Sequence, residues 1–417
     1  MSKRGRAILG HPLVLPFYLP SFILSLSGGL LAPVLPLFAR ELDTSYALIG
    51  LVLSGEAIGM LLGDVPAGVL MRRLGLKRTM VIGVACTTLA TVALFGAGSV
   101  PIAVALRILA GFGRALFGVS QHSYVAGVAS VGRRGRAISL YGGLTRIGHF
   151  IGPMAGGMVG AAYGLRSGFL LFGAVNLVAV TAMALFVQPP PVRERAREAA
   201  TSHGLLLTLL RTRFRALSVA GLGQLLAQMI RTSRSAIIPL YAADVIGLDV
   251  QAIGLIISLA SAVDMSLFYP AGWIMDNLGR KCAIVPSFAI QALGMLLVPF
   301  TASFGGLLAA TALVGLGNGL GSGSMMTLGA DLAPSEARGE FLGIWRFIGD
   351  SGHMGGPLIV GQVADLVTLP HAAWAMAAAG VGAALVFGLL LPEPLKTRRA
   401  HASSPQVGHA TGGGSCS

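Results

Sequence analysis

The chain contains twelve apolar runs, drawn at roughly 12–39, 46–71, 79–98, 101–127, 137–162, 167–188, 216–241, 250–275, 282–302, 305–330, 340–367 and 372–391. Each is close to or above the roughly 20 residues a helix needs to cross the hydrocarbon of a bilayer. The first run is too long for the apolar region of a signal peptide, and further spans follow it, so it is read as the first helix. Apolar residues make up 54% of the 417 residues and charged residues 11%, against about 25% charged in soluble domains. A polytopic membrane protein is expected, and a soluble enzyme is excluded.

The formal charge of +14 would suit a nucleic-acid binder, but its distribution points elsewhere. Of 30 Lys and Arg, 22 fall in one set of loops and tails, two in the opposite set and six inside runs. That is a positive-inside pattern, with both termini predicted to be cytoplasmic in the cell (inner) membrane. No loop offers the contiguous basic face that nucleic acid requires. Cys86, Cys282 and Cys416 suggest neither a disulfide scaffold nor a metal site. No cofactor is expected, since no phosphate-binding Gly-rich loop with Lys-Ser/Thr is present.

The chain also repeats itself. Pro66-Ala67-Gly68 through Leu74-Gly75-Leu76-Lys77-Arg78 returns as Pro270-Ala271-Gly272 through Leu278-Gly279-Arg280-Lys281, 204 residues later. Ile49-Gly50-Leu51 recurs as Ile253-Gly254-Leu255, and Gly111-Phe112-Gly113 as Gly315-Leu316-Gly317. Gly143-Leu144-Thr145-Arg146 matches Gly343-Ile344-Trp345-Arg346 at an offset of 200. Four pairs in order imply two homologous halves. The predicted division is an N-terminal six-helix bundle over 1–188, a cytoplasmic linker over 189–215, a C-terminal bundle over 216–395 and a cytoplasmic disordered tail over 396–417. The mixed-charge linker is expected near anionic headgroups.

Gly148, Gly152 and Gly156 lie four apart on one helix face beside Pro153, which removes an intrahelical hydrogen bond. Such a seam permits close helix packing and serves either rigid packing or a gate. Within the segment, Gly148-x-x-x-Gly152-Pro153-x-x-Gly156-Gly157 resembles the fifth-helix antiporter signature of the major facilitator superfamily, in its twelve-helix drug:proton antiporter family. Arg107 followed by Gly111-Phe112-Gly113 is similar to the fourth-helix signature. The loop Gly272, Asp276, Asn277, Gly279, Arg280, Lys281 resembles that family's loop between helices two and three. The first copy keeps Gly68, Arg73 and Gly75 but has Arg72 at the family's Asp position. The resemblance implies an all-α membrane protein with the major facilitator fold, twelve transmembrane helices in two pseudo-symmetric six-helix bundles. It also implies a gating role for these loop residues and proton handling near Arg107. The family's acid in the first helix has no counterpart here, so the proton site does not transfer directly.

Charges inside spans must face a partner, the bundle interior or a cavity. Ten such groups are singled out, six of them Arg. Glu56 suits either a proton-coupling carboxylate or one member of a structural ion pair. Asp264 has no basic neighbour nearby in sequence and ranks with Glu56 as a proton carrier. Asp350 follows Arg346 by four positions, so the two can pair on one helix face. Asp64, near the helix end, is expected to reach Arg72 or Arg73 and serve a gate. Arg107, with Arg114 seven residues on, is expected to line an aqueous path. Arg231 and Arg234, three apart, suit an anionic ligand, while snorkelling to headgroups is the alternative for Arg231. Arg146, Arg346, Trp345 and His149 complete the expected substrate site. His149 and His353 lack the spacing of metal ligands.

The function expected is a proton-coupled exporter of small amphipathic compounds, with the proton as coupling ion, membrane lipids as surroundings and a monomeric state. The alternatives are an exporter or flippase of an anionic metabolite or lipid, and a non-transporting receptor or scaffold.

Overall fold

The computed structural model describes residues 14–42, 45–128, 134–187, 214–334, 338–391 and 393. The predicted linker and tail lie outside the described residues, apart from the linker's last two positions, which begin a helix.

Twelve long helices form among the described residues. The first six are α1 (Val14–Glu41), α2 (Tyr46–Leu74), α3 (Leu76–Gly96), α4 (Val100–Val128), α5 (Arg134–Tyr163) and α6 (Ser167–Phe186). The second six are α7 (Phe214–Tyr241), α8 (Val250–Asn277), α9 (Arg280–Phe300), α10 (Phe304–Leu332), α11 (Arg338–Leu366) and α12 (Leu369–Leu390). By length and composition nine are apolar enough to cross a membrane. The other three, α5, α7 and α11, are 30, 28 and 29 residues long but more polar. They carry Arg146 and His149, Arg231 and Arg234, and Arg346, Asp350 and His353, so their polarity marks helices that face the interior. The result is a multi-pass, all-α membrane protein.

The repeat extends to local chemistry. Ser45 caps α2 by accepting from the Leu48 amide, and Asp249, 204 residues later, caps α8 by accepting from Ala252. Gly75 ends α2 at φ +81° and Gly279 ends the second copy at φ +120°. These are conformations a side chain would strain, and they explain the Leu-Gly turn in both motifs. Two helices of the second half are interrupted. α8 turns at Leu267, just before Phe268-Tyr269-Pro270. α10 breaks at Gly321-Ser322-Gly323, with Gly323 at φ +71°.

Packing follows the same symmetry. Within the first bundle α1 packs on α5 and α6, α2 on α4, and α3 on α4 and α6; within the second, α7 packs on α11 and α12, α8 on α10, and α9 on α10 and α12. The bundles meet along two seams, α2 against α11 and α5 against α8. At these seams Gly50 lies against the Pro357 carbonyl and Gly254 against the Pro153 carbonyl, so close that a Cβ at either would overlap. Ser54 and Ser258, also repeat partners, bond across them: Ser54 Oγ donates to the Met354 carbonyl at 2.8 Å, and Ser258 Oγ accepts from the Met154 amide at 2.9 Å.

The Arg72–Arg78 loop and its repeat define a basic face. Toward the opposite face, one apolar core takes residues from both bundles, including Leu31, Phe38, Ile49, Ile237, Ile253 and Val360. Toward the basic face the cores separate. One contains only first-bundle residues such as Phe17, Met80 and Met183; the other contains only second-bundle residues such as Phe288, Trp345 and Phe387. A shared core at one end and separate cores at the other leave a space between the bundles on the basic side.

Candidate functional site

Between the bundles lies a cavity of about 790 Å³, walled by residues of both halves. Its apolar lining includes Leu35, Leu53, Met60, Phe172, Ile257 and Phe268. Among the described residues, four arginines (Arg107, Arg114, Arg146, Arg234), three carboxylates (Glu56, Asp264, Asp350) and two histidines (His149, His353) line it as well. A small-molecule site usually joins apolar surface to convergent polar groups, and here the polar groups are numerous.

Glu56 sits on α2 at a close approach to α4, where Gly111 meets its backbone. Its Oε2 accepts from Arg107 Nη2 at 2.5 Å and its Oε1 lies 2.9 Å from Arg114 Nη1. Arg107 is 5% exposed, whereas Arg114 opens into the cavity. The two arginines therefore act as an inner anchor and an outer contact for one carboxylate, and Arg107 and Arg114 do share a face as their spacing predicts.

Asp264, with no basic neighbour nearby in sequence, has one from the other bundle. Arg146 Nη1 donates to Asp264 Oδ1 at 2.7 Å, and Asn318 Nδ2 donates to Oδ2 at 2.9 Å. Arg146 also donates to Ser322 Oγ at the break in α10 and lies over the Phe268 ring at 4.9 Å. Asp64 likewise bonds across the bundles: its partner is Arg346, at 3.3 Å, rather than Arg72 or Arg73. Distance accounts for the second correction, because Arg72 and Arg73 lie at the end of α2 in the basic loop, two turns beyond Asp64. Arg346 also pairs with Asp350 at 3.4 Å, four residues on, as its spacing predicts.

The expected substrate site divides. His149 and Arg234 face the cavity. Arg231 neither faces it nor snorkels to a membrane surface. Its Nη2 donates to the Gly321 carbonyl at 2.9 Å, and its guanidinium lies over the Phe288 ring at 5.0 Å. That carbonyl, at the break in α10, also accepts from the Ser324 amide at 3.1 Å and from Ser324 Oγ at 2.6 Å, so Arg231 adds a further donor there. Trp345 is also turned away: 5% exposed, it donates Nε1–H to the Met325 carbonyl at 3.0 Å and stacks on Phe341. Its indole needs a buried acceptor, and the broken half of α10 supplies one.

Among the expected gate residues, Gly148, Gly152 and Gly156 pack against the α1 backbone between Ser25 and Leu30. Pro153 and Gly157 face α8 of the other bundle. In the second loop Arg280 is 7% exposed and donates to Asp276, Asp331 and the Met275 carbonyl, so Asp276 is engaged within its own half. The first loop has Leu76 where the second has Arg280, and Arg72 where it has Asp276, so that network has no counterpart there. Gly68 and Gly272 have open space for a Cβ, the nearest atom to Gly68 being the Arg72 side chain.

His353 is the functional candidate that spacing alone would have ranked higher. It stands 204 residues after His149, in Gly352-His353-x-x-Gly356-Pro357 against Gly148-His149-x-x-Gly152-Pro153, and both rings line the cavity. Away from the cavity, the opposite face is held by a latch. Asp365 of α11 accepts from the amides of Tyr46 (2.8 Å) and Ala47 (2.9 Å) at the start of α2. Nearby, Tyr46 donates to Asp244, which also pairs with Arg40 at 3.4 Å.

Comparison with known proteins agrees with this architecture. The sequence profile of the Major Facilitator Superfamily matches twice, over residues 17–222 and 220–412. An uncharacterised MFS-type transporter of Methanocaldococcus jannaschii is 24% identical over 361 residues, 86% of this chain and 92% of that protein. Multidrug resistance protein 2 of Bacillus subtilis is 30% identical over 176 residues, 42% of this chain and 44% of that one, so the match spans less than half of either. The crystal structure of a D-xylose-proton symporter superposes with a TM-score of 0.72 at 18% identity, covering 94% of this chain and 99% of that one, a likeness of fold. With one profile falling on each repeat and the two repeats enclosing a polar cavity sealed toward one face, the chain belongs to the Major Facilitator Superfamily and is an MFS-type secondary transporter, not an enzyme.

Proposed function

We propose that the chain is a proton-coupled antiporter that exports small amphipathic compounds. The observation that carries this reading is the pair of carboxylates in the cavity wall, one from each bundle, each held by arginine. On the positive-inside argument the basic face is cytoplasmic, so the cavity faces the cytoplasm and takes substrate from there. The apolar part of the wall suits the body of an amphipathic compound, and the partial likeness to a protein named for multidrug resistance favours outward transport.

The two carboxylates have different mechanical settings. Glu56, Arg107 and Arg114 all belong to the first bundle and move together. The Arg146–Asp264 contact crosses the seam, so rocking of the bundles changes it. A carboxylate that loses its guanidinium is open to protonation, which links proton entry to the change of access. Asp350, sharing Arg346 with Asp64, sits where a second such exchange can occur.

The test is efflux of a panel of fluorescent amphipathic dyes from proteoliposomes under an imposed pH gradient, with Glu56→Gln and Asp264→Asn. Loss of gradient-driven transport in at least one variant, with dye binding retained, is expected. Unchanged driven transport in both removes the assignment.

A further inference from the structure

We infer that the cavity contains a subsite for an anionic group, centred on Arg234, and that the transported compounds are amphipathic molecules carrying a carboxylate or a similar planar anion. This deepens the reading above and rests on the same cavity being the substrate site.

The argument is a charge inventory of the cavity wall. Glu56 is taken by Arg107 and Arg114, Asp264 by Arg146 and Asn318, and Asp350 by Arg346. Arg234 lines the same cavity and, among the described residues, has no carboxylate within 4 Å and donates no hydrogen bond. Arg231, one turn earlier on α7, has its guanidinium on a neutral carbonyl and an aromatic face, so its charge is not cancelled either. Asp264 acts on Arg234 from beyond contact distance but is already held by Arg146 and Asn318, so Arg146, Arg231 and Arg234 outnumber the one carboxylate they share.

Position makes that excess of positive charge costly. Arg234 is seven residues before the end of α7 at Tyr241, roughly 10 Å below the sealed end at 1.5 Å per residue. A fixed cation this deep in a membrane protein is normally paired. Here Asp264, the carboxylate that acts on it, is bonded to Arg146 and Asn318, which leaves the contact position on Arg234 to a group that enters through the cavity. A guanidinium offers two parallel N–H donors to a carboxylate. Ser235 and Gln228 line the wall on the same helix and supply further polar contacts. Leu35, Phe172 and Ile257 provide an apolar surround for the rest of the molecule. A purely apolar substrate would leave Arg234 without a contacting counter-charge, and a cationic one would meet repulsion.

The test uses purified full-length protein in nanodiscs and two matched probes, a naphthyl-alkanoate and its uncharged carboxamide. Binding is measured by fluorescence at fixed salt. Wild type is expected to favour the carboxylate by about tenfold or more, the scale of a charge-assisted contact. Arg234→Gln and Arg234→Met should bring the ratio of carboxylate to carboxamide affinity to within about twofold of one, and Arg234→Lys should keep part of the preference. Melting curves identify any variant that fails to fold, and the Lys variant then decides the case. Equal binding of the two probes by wild type, no binding of either, or an undiminished preference in Arg234→Gln would overturn the inference. Because the readout is binding, it is separate from the transport test: unchanged driven transport in both Glu56→Gln and Asp264→Asn, with the Arg234 preference intact, would sink the proton-site assignment alone.

Discussion

Replacing Asp365 should loosen the seal opposite the basic face. Its carboxylate accepts from two amides at the first turn of α2, in effect capping a helix of one bundle from the other. A side-chain cap contributes about 0.5–2 kcal/mol, and an anion near a helix N-terminus about 0.3–1 kcal/mol more. Asp365 is exposed, so solvent screening puts the expected loss near the low end, about 1 kcal/mol for Asp365→Ala. If the contact exists only when this face is closed, the equilibrium moves about fivefold toward the state open to it. The assay places one cysteine at Ser235, which lines the cavity, after Cys86, Cys282 and Cys416 are changed to Ser. A membrane-impermeant thiol reagent is applied from the face opposite the basic loops. Labelling should accelerate by about fivefold in Asp365→Ala, with an intermediate effect in Asp365→Asn, which keeps one acceptor oxygen. No acceleration in either variant, with both correctly folded, would refute the idea that this latch biases access.

The seam glycines predict an effect in the same direction. Gly50→Ala and Gly254→Ala place a methyl against the carbonyls of Pro357 and Pro153, at a cost of about 1–3 kcal/mol in the closed packing; faster labelling of the same cysteine checks it. In the second basic loop, Asp331→Ala should lower the melting temperature much more than Asp276→Ala. Both carboxylates pair with the buried Arg280, but Asp276 is 75% exposed against 7% for Asp331. Breaking a buried pair costs about 3–5 kcal/mol and an exposed one about 0–1 kcal/mol, and differential scanning in detergent distinguishes them. Trp345→Phe should cost about 1 kcal/mol through the lost bond to Met325 and leave dye affinity unchanged; altered affinity would return Trp345 to the substrate site.

The candidate site was only partly legible in the primary structure. The spacing of Arg346 and Asp350 on one helix announced their pairing, since side chains four apart are neighbours on any helix. Glu56 could be recognised as a cavity or ion-pair residue because a charge within an apolar run has few alternatives. The Arg146 partner of Asp264 lies 118 residues away and the Arg346 partner of Asp64 282 away, so no local spacing announces either contact. Arg231 was open to a ligand or to snorkelling, and it instead donates to the Gly321 carbonyl at a helix break. Nothing in the spacing of α7 itself announces a break in α10.

Chain composition and periodicity alone therefore determined the membrane spans, the twofold repeat, the basic set of loops and the list of charges that had to face inward. These follow from local physics: the length needed to cross hydrocarbon, the period of a helix and the cost of an ion in lipid. Which inward charge meets which, which face is sealed and which arginine is left over were decided by the tertiary structure. Those outcomes depend on how two rigid bundles lean together at Gly50 and Gly254, and a contact between separate bodies is fixed by their relative placement rather than by any sequence interval.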